Sequence, residues 1–111
     1  MFRKHDAGGY KHALDKIKVK TLVHGQKTLL TGFRLEKGAV LPKHSHPHEQ
    51  TGYLVSGRID LTIGNETHGA VPGDSWCIPG NTEHHAYARE DSVAIEVFSP
   101  VREDYLPGKG S

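Results

Sequence analysis

Glycine, proline and asparagine punctuate this chain so densely that its apolar residues fall into short segments, none with the spacing of an amphipathic helix. What remains is a series of strand patterns. Ile17 to Val23 alternates apolar and polar residues, and Thr28 to Leu35 follows a turn at His24-Gly25-Gln26. Thr51 to Val55 is the next. Arg58 to Ile63 sets Ile59, Leu61 and Ile63 on one face, and Gly64-Asn65 has the form of a two-residue hairpin leading into Glu66 to Val71. Ser75 to Ile78 is a short apolar strand, and His84 to Arg89 with Ser92 to Phe98 is expected to form a last hairpin across Glu90-Asp91. Residues 1–15 are polar, an arm able to add one edge strand, and Pro107 to Ser111 is expected to be a mobile tail. The fold class expected is all-β, a small antiparallel barrel or sandwich of about eight to ten strands.

At 111 residues the chain has material for a single core, so residues 1–111 are read as one domain. A net charge of +1 and a pI near 8.0, with no long run of either sign, give no reason to expect nucleic acid or an anionic membrane as partner. No apolar stretch has the length of a membrane span, and the amino terminus lacks the apolar segment of a secretory signal, so a soluble cytoplasmic protein is expected. The single cysteine, Cys77, excludes an internal disulfide and fits that compartment. Trp76 and Cys77 are both read as core residues. Nine histidines are many for this length, and their placement carries the information.

His44 and His46 lie two apart, so an extended backbone sends both imidazoles to one face. Gln50 shares that parity, where Tyr53-Leu54-Val55 marks a strand. A further ligand comes from His84, delivered by the tight turn at Pro79-Gly80-Asn81. Three imidazoles and an amide are all neutral, so a bound dication keeps its full charge and favours an anionic sugar or carboxylate substrate, acting as a Lewis acid. Mixed nitrogen and oxygen donors suit Zn, Ni, Co, Mn or Fe without choosing among them. If His84 points inward, Ala86 and Ala88 do too, while His85 and Tyr87 face away. His48 has ligand parity but follows Pro47; it is read as a neighbour or substitute ligand. His5, His12, His24 and His68 are read as solvated.

Ser92 to Phe98 is apolar on both sides, with Val93, Ile95 and Val97 on one face and Ala94, Glu96 and Phe98 on the other. A strand covered on both sides in so small a domain points to a homodimer. Glu96 is the anomaly, because a carboxylate on an apolar face must be paired, hydrated or functional. Arg102 lies close enough to return to the same opening, or to pair on the surface with Glu96, Glu103 or Asp104.

Two segments resemble the paired motifs of the cupin superfamily. Gly38, His44, His46, Gln50 and Gly57 match G-x5-H-x-H-x3-E-x6-G over residues 38–57, with Gln50 in place of the usual Glu. Gly73, Pro79, Asn81 and His84 match G-x5-P-x-G-x2-H-x3-N over residues 73–88, with Asn81 replacing Gly and Ala88 replacing Asn. The resemblance implies a single cupin domain, a double-stranded β-helix or jelly-roll barrel. The end of the chain, from Glu96 to Leu106, with HSHPHEQTGYLVSG, is similar to the short single-domain cupins of pectin and alginate catabolism. Those proteins open 4,5-unsaturated uronates to the linear keto form. That similarity implies metal ligands His44, His46, Gln50 and His84, with Glu96, Phe98 and Arg102 as the catalytic group where the family carries D-x-F-x3-R. The alternatives are another small-molecule cupin enzyme, such as a non-haem metal dioxygenase, or a non-catalytic metal- or sugar-binding cupin.

Overall fold

The computed structural model describes residues 1–106, so the expectation of a mobile Pro107–Ser111 lies outside the described residues. The described residues form ten antiparallel strands: β1 (Lys11–Leu14), β2 (Ile17–His24), β3 (Leu29–Leu35), β4 (Val40–His44), β5 (Glu49–Ser56), β6 (Ile59–Ile63), β7 (Glu66–Ala70), β8 (Ser75–Ile78), β9 (His84–Ala88) and β10 (Ser92–Ser99). One 3₁₀ turn, Glu103–Tyr105, follows. The strands form two sheets, a six-stranded one in the order β1-β2-β3-β10-β5-β8 and a four-stranded one in the order β4-β9-β6-β7.

Strand alternation sets what lies between the sheets. On β10, Ser92, Ala94, Glu96 and Phe98 are buried while Val93, Ile95 and Val97 are half-buried outside. On β9, His84, Ala86 and Ala88 face in, His85 and Tyr87 out. Leu35, Leu54, Ala86, Ala88 and Ala94 pack with Ile17, Ala39, Ile59, Leu61 and Ala70 into the apolar core. Along each inner face the chain runs from this core to a polar end. Leu54 leads to Gly52 and Gln50 on β5, Ala94 to Glu96 and Phe98 on β10, and Ala88 to His84 on β9. The registers Glu96↔Gly52, Phe98↔Gln50 and His44↔His84 bring those ends together at one mouth.

Three expectations are corrected. β9 and β10 do not form a hairpin: β9 lies between β4 and β6, and β10 between β3 and β5 in the other sheet. The 89–91 connection crosses between the sheets instead of turning back, and β10 takes its two edge partners, β3 and β5, from the other sheet. His44, His46 and Gln50 do not share a strand. His44 ends β4, Gln50 lies in β5 of the opposite sheet, and His46 belongs to the connection between them. Cys77 is exposed, because Trp76 and Ile78 take the inner positions of β8 and leave Ser75 and Cys77 outside.

Candidate metal centre

The strand end of β4, the following loop and the start of β9 bring His44, His46 and His84 to one point. Their candidate ligand nitrogens all lie within 4.8 Å of one another, and the rings stand 4.1 Å (His44–His84), 5.0 Å (His46–His84) and 5.7 Å (His44–His46) apart. The turn before His84 ties the two segments, since the Asn81 N–H donates to the His46 carbonyl at 2.7 Å. Asn81 holds φ +63°, where asparagine is among the few residues tolerated. A Cβ on Gly80 would stand 2.5 Å from the Pro47 carbonyl oxygen, so this close crossing requires glycine.

Each of the three imidazoles donates its Nδ1–H to a carbonyl two residues away: His44 to Pro42 at 2.8 Å, His46 to His48 at 3.0 Å and His84 to Thr82 at 2.9 Å. A carbonyl only accepts, so the proton sits on Nδ1 and each Nε2 presents a lone pair. Burial holds the pKa of His84 below its ordinary value, and burial followed by the charge of Arg102 does the same for His46, keeping both neutral. The Nε2 of His84 is buried and has no hydrogen-bond partner. The Nε2 of His46 faces the Gln50 Oε1 at 3.1 Å, an approach of two acceptors that a cation between them would relieve. These donors fit a divalent transition metal. His48 stays outside the cluster, its ring 5.6 Å from that of His46.

Gln50 and Glu96 are 7% exposed each and lie diagonally on neighbouring strands. With its oxygen toward His46, the Gln50 amide directs its NH₂ group to the Glu96 carboxyl. Burial pushes the Glu96 pKa up to about 8, opposed in part by the hydrogen bonds from Gln50 and Trp76. The Trp76 Nε1–H donates to both carboxyl oxygens, at 3.1 and 3.3 Å. Trp76 is thus half-buried and polar in function, not the plain core residue expected. The indole reaches Glu96 across Gly52: a Cβ there would stand 2.1 Å from the indole nitrogen and 2.4 Å from a carboxyl oxygen.

Phe98 is fully buried, edge-on to His46 at 5.8 Å. The Arg102 guanidinium lies over Phe98 at 5.0 Å and over Tyr105 at 4.2 Å. Of the partners open to it, Arg102 takes Asp104, through Nε at 3.2 Å and Nη2 at 2.8 Å. Tyr105 completes the wall with Phe98 and Phe33, and its carbonyl accepts from the Thr21 hydroxyl. The structure therefore brings all seven site residues expected from the sequence to one mouth, with Gly52, Trp76, Asp104 and Tyr105 added. Gly52 had a readable signal, a glycine inside an apolar strand, which marks close approach of another group.

Residues 32–99 match the family model described as a cupin domain. The chain is 31% identical over 94 residues to the pectin degradation protein KdgF of Dickeya dadantii, a match covering 83% of this chain and 86% of that one. The structure of KdgF from Halomonas sp. superposes with a TM-score of 0.90 at 32% identity, covering 96% of this chain and all of that one. An RmlC-like cupin from Shewanella frigidimarina gives a TM-score of 0.89 at 25% identity over 95% of each chain. On these matches, and on the two jelly-roll sheets that carry the histidine cluster, the chain belongs to the cupin-domain family and is a relative of the pectin degradation protein KdgF.

Proposed function

We propose that this chain is a metal-dependent enzyme of pectin or alginate catabolism that opens the ring of 4-deoxy-4,5-unsaturated uronates to the linear keto form. The observation that carries the reading is a buried carboxyl group, Glu96, set beside Gln50 at the mouth where three imidazoles converge. The likeness to a protein named for pectin degradation supplies the substrate class.

His44, His46, His84 and Gln50 hold the metal, which when bound supplies Lewis-acid stabilisation of negative charge on substrate oxygen. Arg102, resting on the faces of Phe98 and Tyr105, receives the substrate carboxylate at the guanidinium edge that Asp104 leaves free. Glu96 removes the proton from the anomeric hydroxyl. The C1–O bond of the ring then breaks as the C1 carbonyl forms, the electron pair passes to the former ring oxygen on C5, and Glu96 returns its proton to C4. Atoms and charge balance as an isomerisation, with one group acting as base and then acid. Burial raises the Glu96 pKa and a bound dication would lower it, two opposed effects that suit the group to both halves near neutral pH. Phe98 walls the sugar from the core. The outward face that holds half-buried Ile95 and Val97, with Tyr53 49% and Val55 48% exposed on the next strand, supports the expected homodimer.

The test is loss of the conjugated double-bond absorbance of unsaturated galacturonate, or its alginate counterpart, above the spontaneous rate. Acceleration that vanishes in His46→Ala and Arg102→Ala supports the reading. No acceleration with any divalent metal rejects it, and oxygen uptake would replace it with the dioxygenase reading.

A further inference from the structure

Three neighbouring strands place Trp76, Gly52 and Glu96 in one row. Gly52 pairs with Trp76 across β5 and β8, and with Glu96 across β5 and β10. The middle member has no side chain, so the indole and the carboxyl meet over its Cα instead of being held a strand apart. In a sheet, such next-but-one partners are ordinarily about 10 Å from each other, two strand spacings. Here the indole N–H reaches both carboxyl oxygens within hydrogen-bond distance. Filling this space with apolar volume would satisfy packing; the structure uses it for a donor aimed at the carboxyl plane.

We propose that Trp76 and Gly52 are positioning residues that orient the Glu96 carboxyl, and through it the Gln50 amide, toward the metal site. The chain of contacts has a definite polarity. Trp76 donates to Glu96, the Gln50 NH₂ group also donates to Glu96, and the Gln50 oxygen is thereby turned toward His46. Without the indole donor the carboxyl is free to rotate about its last torsion, which is a soft one. Gln50 loses the fixed acceptor that tells its oxygen from its nitrogen. Neither residue touches substrate in this arrangement; both act through Glu96. The inference rests on the proposed function only for what Glu96 does, not for how it is held.

Two readouts test it. The chain has one tryptophan, so the indole N–H gives a single proton resonance, recorded on metal-free protein. Recorded above pH 8, where the Glu96 carboxyl is ionised, that resonance moves upfield in Glu96→Gln, which replaces the charged acceptor, and Gly52→Ala moves it by displacing the ring. An indole resonance unchanged in both variants overturns the contact whatever the enzyme does. In the uronate assay with metal-loaded protein, Trp76→Phe keeps ring volume but not the donor. It lowers kcat by roughly ten- to hundredfold, the worth of a hydrogen bond to the ionised form of Glu96 that acts as base, with KM for the uronate and bound metal retained. A merely space-filling tryptophan would be rescued by phenylalanine, so wild-type kcat in Trp76→Phe refutes the positioning role. If wild-type protein turns over no uronate, the function fails and the resonance alone decides the inference.

Discussion

Replacing the buried acid should make this protein more stable and less active at once. The unfolded chain ionises Glu96 near 4.5, whereas the folded one holds the proton to about 8. Between those values the native state binds a proton that the unfolded state has released, so ionisation opposes folding increasingly as pH rises. At about 1.4 kcal/mol per pH unit the opposition is absent well below pH 4.5, reaches about 3 kcal/mol at pH 7, and levels at about 5 kcal/mol above pH 8. Glu96→Gln removes this term. Its carbonyl still accepts from Trp76, but its NH₂ group meets that of Gln50, costing about 1 kcal/mol. The variant is therefore more stable by about 2 kcal/mol at pH 7, less stable by about 1 kcal/mol below pH 4, and equal to wild type at about pH 5. Urea unfolding of metal-free wild type and Glu96→Gln across that pH range measures the difference directly, with the histidine contributions common to both. A variant no more stable than wild type at pH 8 would refute the reasoning. Its uronate turnover should fall even as stability rises, the usual cost of a functional group buried against its preference.

Three further outcomes follow from the described contacts. Asp104→Asn removes the partner that fixes one edge of Arg102 and should raise KM for the uronate about threefold with little change in kcat, in line with a half-exposed ion pair; an unchanged KM would show that the aromatic rings alone hold the guanidinium. Asn81→Val puts a β-branched residue at φ +63° and should lower unfolding free energy by about 1–2 kcal/mol, whereas Asn81→Gly should be near neutral; equal stability of the two would contradict the turn geometry. Cys77, exposed on β8, should react with one equivalent of a thiol reagent in the native protein, and reaction only after denaturation would restore the core reading.

Much of the site was legible before any coordinates because metal ligation needs particular residue types at particular spacings. His44, His46, Gln50 and His84 stood out as candidate ligands through spacing, turn residues and motif, and Glu96 as a candidate through its place on an apolar face. The strands were readable for a similar reason: alternation is local, and β2, β3, β5 to β8 and β10 fall within a residue or two of the segments expected. What local pattern cannot carry is pairing. A three-residue connection suits a hairpin and a crossing between sheets equally, so the partition of β9 and β10 between two sheets was decided by the tertiary pairing. Cys77 and Trp76 were indistinguishable by apolarity, and only the direction of β8 in the barrel turned one out and one in. The same holds for Arg102, whose reach includes several acids and whose partner depends on how the chain turns after β10. The sequence by itself determined an all-β chain, the candidate metal-ligand residue types and the one acid that has to be explained. Only the tertiary structure decided that Gly52 opens a path from Trp76 to that acid, because contact across three strands depends on registers that no single segment encodes.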